Sequence, residues 1–112
     1  MVKTVYIPEQ GDIVWVDFNP TRGHEQKGKR PAFVVSRRMY NEKSGLTLLC
    51  PITSQEKGYP FEVRVNNDKI TGVVLSDQLR SVDWKERKAA FIVKSGMVVV
   101  SEVLAKIMAL VR

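Results

Sequence analysis

The stretch Asp12-Ile13-Val14-Trp15-Val16-Asp17-Phe18 decides the fold. On an extended chain Val14, Val16 and Phe18 share one face, and Ile13, Trp15 and Asp17 share the other. Period-two alternation of β-branched and aromatic residues specifies a strand. Asn19-Pro20-Thr21-Arg22-Gly23 ends it, and a polar loop runs to Lys29. Working outward, Phe61, Val63 and Val65 alternate with Glu62 and Arg64 over 61–65, further strands are predicted over 32–36, 46–53, 72–79 and 91–93, and 84–88 could make one helical turn. Short strands joined by polar turns, without crossover helices, imply a mainly β fold, a small barrel rather than a parallel sheet. The tail changes period. Val100, Val103, Leu104, Ile107, Leu110 and Val111 recur at helical spacing, predicting a C-terminal α-helix over 98–111. Its start is poorly marked, because Gly96 is the only plausible cap and Val98-Val99-Val100 is a β-branched run.

The 112 residues suit a single domain, 1–112, one small enough to gain from oligomerisation. Hydrophobic residues make up 44% and charged residues 27%, as in a soluble globular protein. The net charge of +6 favours a polyanionic partner: nucleic acid, acidic lipid or an acidic protein. Cys50 is the sole cysteine, so no intrachain disulfide forms, which fits a reducing cytoplasm. It lies in the apolar run Leu48-Leu49-Cys50-Pro51-Ile52 and reads as a small buried hydrophobe. One cysteine and one histidine do not build a structural zinc site. Residues 1–10 carry no secretory signal, and no segment approaches a membrane span. A cytoplasmic protein without metal or cofactor is expected.

Between Arg22 and Arg38 lie Arg22, Lys27, Lys29, Arg30, Arg37 and Arg38, with His24, against one acid, Glu25. Such a cluster serves a solvated surface loop as readily as a binding site. Arg30 precedes Pro31, which biases it toward extended geometry at a loop–strand junction. An arginine held there presents its planar fork to a phosphate. Thr53 ends another predicted strand, and Asp77 and Gln78 lie near the end of a third. His24 sits in a polar loop, where it serves as a general acid or base near neutral pH or is a solvent-exposed bystander.

At these residues the sequence resembles the MazF/PemK/Kid family of toxin endoribonucleases from toxin–antitoxin modules. The matching stretches are Gly11 to Pro20, Gly23-His24-Glu25-Gln26, Arg30-Pro31-Ala32 and Pro51-Ile52-Thr53-Ser54. Gly58-Tyr59-Pro60-Phe61-Glu62-Val63, Gly72 to Gln78 and Leu104-Ala105-Lys106-Ile107 follow in order over nearly the whole chain. The resemblance implies an SH3-like barrel with a C-terminal helix, paired as a homodimer. It implies metal-independent cleavage of single-stranded RNA, chiefly mRNA, at a short sequence. The ribose 2′-OH attacks the neighbouring phosphorus and leaves 2′,3′-cyclic phosphate and 5′-OH ends. It also implies a cognate antitoxin with an acidic, disordered tail.

The family's arginine of the Arg-Pro motif corresponds to Arg30, and its threonine to Thr53. Arg30, permanently cationic, suits stabilisation of the phosphorane and not proton abstraction. Glu25, His24 and Asp77 are the candidates for proton transfer. In the Kid-like branch an arginine stands two residues before the matching aspartate; here that residue is Leu75. RNA contacts are expected from Gln26, Lys27, Lys29, Ser54, Gln78 and Arg80. Gly11-Asp12 reads as the turn that starts a strand. Trp15 and Phe18 read as packing residues. Tyr59 is a possible base platform, whereas the alternation of Phe61 assigns it to the core. Two other functions compete. One is a CcdB-like inhibitor of DNA gyrase, which relies on a tryptophan near its extreme C-terminus; this chain has none after Trp84. The other is an RNA-binding module without cleavage.

Overall fold

The computed structural model describes residues 5–18 and 28–112. The strands over the described residues are β1 (Asp12–Asp17), β2 (Lys29–Val34), β3 (Leu46–Thr53), β4 (Glu62–Asn66), β5 (Thr71–Leu75), β6 (Arg80–Asp83) and β7 (Ala90–Lys94). Helix α1 spans Arg38–Ser44 and α2 spans Met97–Val111. The strands are paired antiparallel in the order β4-β5-β3-β2-β1-β7, with β6 also on β3, as a curled half-barrel.

Strand β1 pairs with β2 and β7 along its two edges, apolar clusters cover both its faces, and within it only Trp15 emerges, 39% exposed. Ile13 points into a core with Phe33, Cys50, Ile52, Val63, Val74 and Val103, which α2 covers through Val99, Val100, Leu104 and Ile107. Val14 and Val16 point the other way, into a second cluster with Ala32, Val34, Leu49 and Val82. Burying each Val, Leu, Ile or Phe among them contributes roughly 1.5–3 kcal/mol.

The expected strands are present, with shifted ends and one correction. The segment predicted as a single strand over 72–79 is broken. After Leu75 the chain turns, with the Gln78 amide donating to the Leu75 carbonyl at 3.0 Å, and β6 starts at Arg80. The 84–88 segment forms hydrogen-bonded turns, in which Asp83 Oδ1 accepts from the amides of Lys85 and Glu86. Helix α1 has no counterpart in the sequence reading because it carries no apolar stripe. Its single buried residue is Asn41, which donates to the Pro8 carbonyl at 2.8 Å, while its own carbonyl accepts from Trp84 Nε1 at 2.8 Å. Helix α2 begins at Met97 behind Gly96, with no side-chain cap, so packing holds its first turn. The far end of its apolar stripe, Leu110 and Val111, is exposed.

Gly11 is the entry turn anticipated from Gly11-Asp12. Its φ is +93°, which L side chains rarely adopt, and a Cβ there would lie 2.9 Å from Val100 Cγ2, pressing on that methyl group. The buried Asp12 carboxylate accepts from the Tyr6 hydroxyl, from the Glu9 amide at 3.1 Å and from Lys94 Nζ at 2.7 Å. It is a structural hub. Burial, then the Asp12 hydrogen bond, raises the Tyr6 hydroxyl well above its ordinary value, and the same carboxylate raises Lys94. Both groups hold their protons more tightly folded than unfolded. Their stabilisation is complete below about pH 10 and is lost as pH rises beyond it. Urea unfolding across this range is expected to give falling stability, with a shallower fall for Tyr6→Phe. Identical alkaline slopes for the two proteins would contradict the assignment.

Candidate functional site

Alternation along β2 and β3 puts Ala32 and Val34 on the same sheet face as Leu49, in the second apolar cluster. Continuing along that face toward the start of β2 and the end of β3, the residues become polar: Arg30 and Thr53. The last ladder pair is Ala32 with Pro51, and Arg30 and Thr53 each lie two residues beyond it, past the end of the β2–β3 ladder. A cavity of about 650 Å³ opens there. Arg30 and Thr53 both line it, with Asp77, Gln78 and Arg80 from the turn and strand after β5. Residues far apart in the chain thus converge on one concave surface.

Each of these side chains has a local reason for its position. Thr53 Oγ1 accepts the Gln55 amide at 3.2 Å, which leaves its hydroxyl proton to donate elsewhere. The Arg80 guanidinium lies 5.2 Å from the centre of the Phe18 ring, a cation–π contact at the cavity edge. Phe18 is itself tied down: its amide donates to the Gly28 carbonyl at 2.9 Å, and its carbonyl accepts from Arg87 at 2.8 Å. Phe18 therefore lines the site while packing partly on the second cluster. Arg30, Lys57 and Arg80 supply positive charge to the walls, against Asp77 and Glu62. Cys50, hydrogen-bonded to the Ser76 carbonyl, lies buried beneath. Burial, with a smaller contribution from Asp77, pushes its thiol up to about 12, so it is no nucleophile at neutral pH.

Of the residues singled out from sequence, Arg30, Thr53, Asp77, Gln78 and Arg80 come together. Lys29 and Ser54 are exposed beside the cavity without lining it. His24, Glu25, Gln26 and Lys27 lie outside the described residues. Phe61 is corrected from core to cavity wall. It is half-buried, and its ring lies 5.2 Å from that of Tyr59, which is 50% exposed. Gln55, Lys57 and Glu62 were missed as lining residues. The only signal for Glu62 was its place inside the Gly58–Val63 stretch, since alternation alone makes it a solvent-facing strand residue.

Residues 9–111 match the PemK-like, MazF-like toxins of type II toxin–antitoxin systems. The chain belongs to this family. It is 50% identical over 97 residues to the endoribonuclease toxin MazF of Escherichia coli (strain K12), covering 87% of this chain and 85% of that one. It is 38% identical over 110 residues to the endoribonuclease toxin ChpB of the same organism, covering 93% and 94%. A crystal structure of MazF from Deinococcus radiodurans superposes with a TM-score of 0.85 at 44% identity, covering 96% of this chain and 98% of that one. A structure of MazE-MazF from the same organism gives 0.85 at 40%, with the same coverage.

Gly72 sets the toxin's cavity wall through its missing side chain. A Cβ there would lie 2.5 Å from the Thr53 carbonyl oxygen and 3.1 Å from its carbonyl carbon. Both are backbone atoms, so the two strands would have to part at Thr53. Gly72→Ala is expected to cost about 1–3 kcal/mol of stability in urea unfolding and to speed hydrogen exchange at the Gln55 amide. Wild-type stability with unchanged exchange would show that the close approach is not needed.

Proposed function

We propose that the toxin is an endoribonuclease that cleaves single-stranded RNA at a short sequence, without metal, through attack of the ribose 2′-OH on the adjacent phosphorus. The observation that carries this reading is the convergence of Arg30 and Thr53 in one cavity, joined by Arg80, Asp77 and Gln78. Its relatives' names as endoribonucleases support it.

In the reaction a bond forms from the 2′-oxygen to phosphorus as the bond to the 5′-oxygen breaks. The products are a 2′,3′-cyclic phosphate and a 5′-OH. DNA, lacking the hydroxyl, is not cut this way. Negative charge grows on the non-bridging oxygens in the transition state, and a fixed guanidinium is most effective there. Arg30 fills that role. Thr53, its hydroxyl oriented by the Gln55 amide, donates to a phosphate oxygen. Arg80, braced on Phe18, supplies a second positive charge along the strand. Proton removal from the 2′-OH and proton delivery to the 5′-oxygen fall to Asp77, His24 and Glu25, with Gln78 contacting a base edge.

The toxin's partner is a cognate antitoxin whose acidic, disordered tail folds onto the groove. The surplus of +6 and the cationic cavity walls favour it, as does the likeness to MazE-MazF. We further propose one domain over 1–112, a cytoplasmic setting and a homodimer. Exposed Met97, Val98, Leu110 and Val111 at the two ends of α2 favour the homodimer.

Purified toxin incubated with a long defined RNA in EDTA should release fragments ending in cyclic phosphate. Arg30→Ala should slow cleavage about 10²–10³-fold, and Thr53→Ala about tenfold. Wild-type cutting by Arg30→Ala would refute the site. Intact RNA under all conditions would refute the activity.

A further inference from the structure

Two of the matching stretches carry no chemistry in the reading above: Gly58 to Val63, and Leu104 to Ile107. The structure brings them together. Lys106 Nζ, on α2, donates to the Pro60 carbonyl. Pro60 belongs to the segment between β3 and β4 that forms one wall of the groove through Gln55, Lys57 and Tyr59. Residues 54–60 of that segment are exposed and in no strand, so no ladder and little apolar burial hold them.

Polar contacts hold them instead. The Glu62 carboxylate accepts the amides of Lys57 at 3.2 Å and Gly58 at 3.0 Å, and the Glu62 amide donates to the Tyr59 carbonyl at 3.1 Å. Arg64 reaches Glu56 at 2.8 Å, an exposed pair of small effect. Lys106 adds a tether from a separate element, α2. Its backbone is fixed because its helix neighbours Val103, Leu104 and Ile107 pack into the core.

We infer that Lys106 and Glu62 are positioning residues that clamp the 54–61 segment as a preformed wall of the groove and so set RNA affinity. The inference rests on the groove being the RNA site. Glu62 lines the cavity, and its oxygens are engaged by two amides of the wall. A loose wall would have to be ordered at each binding event, weakening association. The chemical step, carried by Arg30 and Thr53 on β2 and β3, would be untouched once RNA is bound.

The test uses Lys106→Met, which keeps a long apolar stem, with Glu62→Gln as a second variant and Lys106→Arg as the conservative one. Hydrogen exchange in the free protein is expected to speed up at 57–59 in the first two. KM should rise about fivefold with kcat within about twofold of wild type, and Lys106→Arg should restore both readouts. Unchanged exchange and KM would overturn the proposal. So would a lower melting temperature with KM unchanged, which marks a merely structural contact. Wild-type protein that leaves RNA intact would remove the RNA reading instead, and the exchange data would still decide the clamp.

Discussion

The change of partner along β3 is the constraint on which the site depends. One edge of β3 pairs with β2 at Leu49 to Pro51. The other pairs with β6 from Leu46 to Leu49 and with β5 at Ile52 and Thr53. The switch falls at Cys50 and Pro51, and proline has no N–H to give to a ladder. Beyond it β5 is drawn against Thr53, close enough that Gly72 tolerates no Cβ. The turn joining β5 to β6 is thereby held over the end of β2. That turn carries Asp77 and Gln78, β6 opens with Arg80, and β2 opens with Arg30.

The apolar interior and the polar groove are two ends of one surface. Val14, Val16, Ala32, Val34 and Leu49 fill the closed end and hold the strands in register, while Arg30 and Thr53 take the open end of the same face. Two carboxylates are set aside for architecture. Asp12 ties the N-terminal segment to β7, and Glu62 gathers amides of the groove wall. Arg30 and Arg80 stay exposed on the cavity walls beside Asp77, open to the phosphodiester strand proposed above. Because these cations sit on strands or are braced by an aromatic ring, the proposed reaction would need little reorganisation as charge develops on phosphorus.

Much of this was legible in the sequence. Period two in Asp12 to Phe18 and in Phe61 to Val65 made β1 and β4 legible, the first because its residues go to two separate clusters and the second because buried valines alternate with exposed polar residues. The period in Val100 to Ile107 gave α2 for the same reason. What escaped had no such contrast. Helix α1 is held by the polar groups of Asn41 rather than by an apolar stripe. The break after Leu75 is a backbone turn whose residues read equally well as strand. Arg30 and Thr53 emerged from residue type and motif resemblance, but their meeting depends on the β2–β3 register, which periodicity does not encode. The part played by Glu62 was invisible because its partners are main-chain amides.

If Arg30 and Thr53 grip the same phosphate, their effects on the chemical step are coupled. Single-turnover cleavage rates for Arg30→Ala, Thr53→Ala and the double variant, at saturating protein, form a mutant cycle that reads this coupling. The account predicts a double variant scarcely slower than Arg30→Ala alone. Losses that multiply would mean that the two side chains act on separate parts of the substrate, and the shared phosphate site would have to be abandoned.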